Sequence, residues 1–365
     1  MVSLATSREM DGETLADVPP AAPLAGRLLR FFRERPILVL LFFSPGLIEY
    51  LTGDTPLNFV LFSPPIFLLE LLFNVGIYGP SVLLAREAML GWKKGWASVL
   101  LIGLAYGIVN EGLAAGTLFN ANAAATLGSG LAEYGRFAGV SWVWAVRIDL
   151  VHALFSISLP ILLLRLALPE TQGRSLLSRR GMGVAFGVLA LDVALSELLL
   201  WRMQGFFAGI SLLAGSLAAV GLLVLAARLA PRDLLSPRQP LPRARPMTFF
   251  AMAVAYFLLA VAVSLIPKAL GLPAVVAVAV MLAVGGAWLW WVLRNIGRAS
   301  NARQLLALVA GLYAPIMVAG TLAQFPYALV LVGDAAFALL LVNLWKMYSR
   351  TGTDGLPSPR PPAPA

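Results

Sequence analysis

Seven carboxylates fall inside long apolar runs of this sequence, and they are the residues whose chemistry needs explaining. Glu70, Asp149, Asp192 and Asp334 sit roughly 12–17 Å from a run's end at ~1.5 Å rise per residue. Glu49, Glu111 and Glu197 lie nearer one end. A charged group in the middle of hydrocarbon costs about 2.5–3.5 kcal/mol on insertion scales, so such groups serve a purpose or find a partner. The only other ionisable side chains in these runs are Arg147 and His152, the one histidine of the chain. Pairing therefore leaves some of the acids protonated, hydrated or bound to a cation.

Helical spacing groups them further. Asp149, His152 and Ser156 stand at i, i+3 and i+7, which predicts one shared face. Arg147 is about 200° away from Asp149 on such a helix and is expected to meet another acid, Glu197 or Glu111, or to reach outwards. Glu70, Asn74, Tyr78 and Ser81 form a polar stripe. Gly103, Gly107 and Glu111 are four apart, so a neighbouring backbone is expected to close on the glycines and press Glu111 into an interhelical contact. The candidate pathway for an ion or small molecule is thus Glu70, Asn110, Glu111, Arg147, Asp149, His152, Asp192, Glu197 and Asp334.

The stretch Leu104-Ala-Tyr-Gly-Ile-Val-Asn-Glu-Gly-Leu113, with His152 following Glu111 by 41 residues in Asp149-Leu-Val-His-Ala-Leu-Phe-Ser156, resembles a group of uncharacterised polytopic bacterial and archaeal membrane proteins. More distantly it is similar to the CAAX-prenyl-protease/bacteriocin-processing intramembrane proteases. That family carries Glu-Glu-x-x-x-Arg on one helix, Phe-x-x-x-His on a later one, and a further His. The resemblance implies that Glu111 and His152 would be catalytic, activating water for peptide-bond cleavage. It departs from the pattern at Asn110, Ala115 and Ile148, which take the places of the first Glu, the Arg and the Phe. There is no second His.

The elements that must position these residues are transmembrane helices. The 365 residues are 59% hydrophobic and 12% charged, with a mean hydropathy of +0.84. Soluble domains carry about 25% charged residues. Spans of roughly 20 apolar residues are expected near 36–52, 57–84, 97–115, 139–164, 182–201, 206–227, 247–266, 272–293, 304–322 and 326–345. This predicts an all-α polytopic bundle of about ten helices. Residues 1–35 form an N-terminal arm and 347–365 a Pro-rich disordered tail. The first run lacks a cleavage-site pattern and reads as an anchor.

Net charge is +9, and all but four of the 27 Lys and Arg residues fall on one side of the expected topology. That asymmetry predicts cytoplasmic termini and basic loops, a plasma-membrane location, and contact with anionic lipid headgroups rather than nucleic acid. Tryptophans cluster near the expected helix ends, as at a headgroup interface. Pro45, Pro64, Pro65, Pro80, Pro160 and Pro315 lie in or near spans, and each frees a carbonyl that a neighbour must satisfy.

The absence of Cys excludes disulfides and thiolate chemistry, and one His excludes multi-His metal sites. No P-loop, dinucleotide-binding turn or haem-ligand pair is present, so no cofactor is implied, while an all-carboxylate metal site stays open. Three functions fit. The first is proton- or cation-linked transport of a small molecule or ion. The second is intramembrane hydrolysis by Glu111 and His152. The third is a non-catalytic scaffold or lipid-binding role.

Overall fold

The computed structural model describes residues 31–298, 301–325 and 329–350. The expected N-terminal arm up to residue 30, with Arg8, Arg27 and Arg30, lies outside the described residues, as does the tail from 351 onward with Arg360. The fold is an all-α bundle of apolar helices: α1 Pro36–Tyr50, α2 Pro64–Gly91, α3 Trp96–Ala114, α4 Trp142–Ala167, α5 Arg179–Gln204, α6 Ile210–Leu229, α7 Pro246–Ala269, α8 Ala274–Asn295, α9 Ala302–Ala323 and α10 Val330–Arg350. Among the described residues, nine of these are long and apolar enough to cross a membrane, and α1 is shorter.

Three boundaries differ from expectation for readable reasons. The second span begins at Pro64 rather than 57, because Phe59–Phe62 makes a single turn and Ser63 is extended before Pro64-Pro65 starts the helix. It also runs on to Gly91, past 84, because Arg86 and Glu87 neutralise one another at 2.6 Å. Arg86 Nη2 additionally donates to the carbonyls of Thr171 and Arg174, which pins the α4–α5 loop to α2. The fourth span starts at Trp142, not 139. Arg136–Phe137 and Val140–Ser141 first pair as a short antiparallel hairpin, turned by Ala138 and Gly139 at positive φ.

Burial identifies the centre. The most apolar stretches of α3 and α4 are 67% and 72% buried, against 11% for α5 and α6. Helices α5 and α6 turn Val184, Phe186, Leu191, Leu217 and Leu222 outwards, as expected where lipid is the solvent. Around the α3–α4 pair stand α1, α6, α8 and α9, and α2 packs between α1 and α5. Gly103 and Gly107 face α4. A Cβ at Gly103 would lie 2.6 Å from Ala153 Cα, and one at Gly107 would lie 2.9 Å from Asp149 Cα. The two backbones are therefore in direct contact.

Three helices change pitch around the site. The last turn of α1 (Gly46–Tyr50), that of α3 (Ile108–Ala114) and the middle of α4 (His152–Ser158) are π-helical. Such single-turn bulges leave carbonyls misaligned and recur at functional sites. In α4 the cause is visible. Pro160 has no N–H, and the two carbonyls a turn before it accept neighbouring hydroxyls instead: Ser156 O from Ser44 at 2.6 Å, and Phe155 O from Tyr313 at 3.4 Å.

Candidate functional site

The three π-turns carry Glu49, Glu111 and His152 towards one another. Glu111 Oε1 accepts from His152 Nε2 at 2.8 Å, in a pair that is 8% and 2% exposed. The second carboxylate oxygen of Glu111 accepts from Thr117, whose oxygen in turn accepts from Trp144 Nε1 at 3.0 Å. His152 Nδ1 meets Ser156 Oγ at 2.8 Å, which fixes the ring. Tyr106 closes over its edge, with ring centroids 5.5 Å apart.

A second branch leads from the histidine to another acid. Asn110 Nδ2 lies 3.3 Å from His152 Nε2 and donates to the Tyr78 hydroxyl at 3.1 Å. Tyr78 donates to Glu49 Oε1. The other oxygen of Glu49 accepts from Thr55 at 3.1 Å, and Asn74 Nδ2 holds Thr55 at 3.1 Å. Two hydrogen-bonded groups, Thr117–Glu111–His152 and Asn110–Tyr78–Glu49–Thr55, thus meet where Asn110 Nδ2 touches the histidine ring.

Both carboxylates line a cavity of about 630 Å³, whose charged wall is completed by Asp54 and Arg147. The opposite wall is apolar, with Leu154, Phe155, Phe257, Val261 and Ile316. Its rim comprises Thr52 from the α1–α2 connection and Ala125, Gly128 and Ser129 from the α3–α4 connection. A larger cavity, about 800 Å³, lies at the other end of the bundle, among the basic loops, with Arg165, Asp233, Ser236 and Arg298 at its polar end. The two cavities share Leu150, Leu154 and Tyr256. Those three side chains line both the acidic space and the basic one.

The residues singled out from sequence divide cleanly. Asn110, Glu111 and His152 form the buried core of the network. Arg147 lines the same cavity but touches Ser264 Oγ at 3.4 Å, and among the described residues it has no ion pair with Glu197, Glu111 or any other acid. Asp149 turns towards Gly107 of α3, with Oδ1 buried and without a hydrogen-bond partner among the described residues. Like His152, which meets Glu111 of the same helix, it points at α3 and does not line the cavity. Asp192 packs on Gly76 of α2. Asp334 accepts from Thr321 at 2.9 Å, away from Arg147 and Arg202. Glu70 and Glu197 are half-buried, and neither lines the cavity. Among the described residues no three His, Asp or Glu side chains converge as a metal site.

Sequence reading gives no role to Thr55, Tyr106, Thr117 or Trp144, and it counts Glu49 among the seven acids without placing it in the candidate pathway. Asn74 and Tyr78 stood in the polar stripe of α2. The usable signal for Glu49 was the Ser44-Pro45-Gly46 step just before it, which distorts α1 and turns the acid inwards. No protein-family model, curated protein or solved structure matches the chain.

Proposed function

We propose that the protein is a proton-linked transporter of the plasma membrane. On this reading all ten helices cross the bilayer and the basic loops and both termini face the cytoplasm. The observation that carries the proposal is the pair of cavities at opposite ends of the bundle, meeting at Leu150, Leu154 and Tyr256. That arrangement suits alternating access around a midplane site.

Glu111 and His152 then form the proton site. With the pair holding one proton, His152 Nε2–H donates to the Glu111 carboxylate and Nδ1 accepts from Ser156. A second proton makes both ring nitrogens donors, reverses the Ser156 contact and cancels the charge that Glu111 presents to the cavity. Glu49, with Tyr78 donating to it, stands beside this pair as a second carboxylate on the cavity wall. Leu154 lies within the π-turn of α4 that holds His152 and Ser156. A change at the ring is therefore coupled to the wall the two cavities share through an element with two pitches available to it, π and α.

The test uses sealed vesicles containing the purified protein and an entrapped pH-sensitive dye. A panel of amphiphilic cations and anions is added under an imposed pH step. At least one solute is expected to drive proton movement absent from empty vesicles. If the whole panel moves no more protons than in empty vesicles, while the solutes still bind, the proposal fails.

The contact between Glu111 and His152 favours hydrolysis as a second reading. Glu111 faces the cavity with His152 fixed behind it, an arrangement that could polarise a water for attack on an apolar peptide. Cleavage of a hydrophobic peptide that persists in Glu111→Ala would eliminate it.

A further inference from the structure

We infer that the larger cavity, at the basic end, is a binding site for an anionic single-chain lipid of the adjacent leaflet. Its phosphate would sit against Arg165 and Arg298, with its acyl chain in the leucine-lined body. This goes beyond the transport reading and does not depend on it, since a resident lipid and a transported one would occupy the site alike.

The shape is amphipathic along its length. Leu100 and Leu104 of α3, Leu162 of α4, Leu289 of α8 and Leu305 of α9 line the body, and the polar residues gather at the basic end. A space bounded this way suits an acyl chain better than a polar solute. Trp288 stacks on Tyr256 at 4.3 Å along the same wall, and its indole N–H is buried with no partner among the described residues.

The charge at the polar end fits an anion. Arg165 and Arg298 face a single acid, Asp233, which is engaged by Ser236 at 3.3 Å. Arg165 is half-buried, stacks over Trp96 at 5.4 Å and has no carboxylate within 4.0 Å among the described residues. Nearby Arg86 shows the contrast, because it takes Glu87 at 2.6 Å. A half-buried guanidinium without a counter-charge is costly, and its planar fork matches a phosphate. Arg298 is aimed by the hydrogen bond from its Nε to Pro237 O at 2.7 Å.

The experiment is saturation binding of radiolabelled 1-oleoyl-glycerol-3-phosphate to the purified full chain in discs of neutral phosphatidylcholine. Uncharged 1-oleoylglycerol and inorganic phosphate serve as comparison ligands. The phosphate lipid should bind at least about tenfold tighter than the uncharged one, as expected for a charge-assisted contact, and inorganic phosphate alone should not compete. Arg165→Gln should remove most of that preference and Arg165→Lys should restore part of it. Leu162→Trp should block both lipids, and Asp334→Asn, outside this cavity, should leave binding unchanged. Arg298→Gln provides the same readout if Arg165→Gln does not fold. Equal affinity for charged and uncharged lipids, or an undiminished preference in Arg165→Gln, overturns the inference. Failure of proton-linked flux with lipid binding intact would count against the transport reading alone.

Discussion

Glu111→Gln is expected to reduce solute-driven proton movement to that of empty vesicles while leaving the protein folded. Glutamine keeps the volume of the side chain and an oxygen for His152 Nε2, and it retains a partner for Thr117. What it loses is the capacity to take up a proton. Asp334→Asn is the matched control, because its acid bonds only Thr321 and lies outside the groups that hold Glu111 and Glu49. It should keep wild-type flux. Ser156→Ala should give an intermediate result with a displaced pH profile, since it frees His152 Nδ1 without touching the carboxylate. Unaltered flux in Glu111→Gln, with Tm unchanged, would remove Glu111 from the proton path.

The second large effect concerns packing. Gly103→Val should lower Tm and abolish flux together. The new Cβ would lie 2.6 Å from Ala153 Cα and 3.0 Å from Ala153 O. These are backbone atoms, which cannot rotate away. Overpacking of this kind costs about 1–3 kcal/mol, and more where backbone must yield. The helices have to part, and Glu111 and His152, one on each, part with them. Gly183→Val in α5 makes the comparison fair, since nothing lies within 4 Å of its added Cβ. Its Tm should change little. If Gly103→Val is as stable as Gly183→Val, the close approach of α3 and α4 is not what holds the site.

How much of this was legible beforehand depended on the range of the interaction. The helices follow from local hydropathy, and the Gly103–Gly107–Glu111 spacing pointed to an interhelical contact for the acid because small residues repeating every four mark a packing face. The partner was not legible. The spacing groups His152 with Asp149, and both face α3, yet only His152 finds a partner there: it takes Glu111, while Asp149 lies against Gly107 with Oδ1 unpartnered among the described residues. Counting acids suggested one shared hydrated interior. In the fold Asp192 and Asp334 instead find separate surroundings, at Gly76 and Thr321, while Glu49 joins the network through Tyr78. Thr117 and Trp144 reach Glu111 from an irregular connection and from the first turn of α4, where no periodicity could signal them.

On the proposed transport reading, two water-reachable cavities enter the bundle from opposite membrane faces and stop at the same three side chains. The native chain has no cysteine, so single variants can be labelled against a silent background. Ile148→Cys places a thiol in the acidic cavity and Leu104→Cys places one in the basic cavity. In vesicles of known orientation, a membrane-impermeant thiol reagent should modify the Leu104→Cys variant only from the side of the basic loops. It should modify the Ile148→Cys variant only from the other. Labelling of both from a single side would contradict the account.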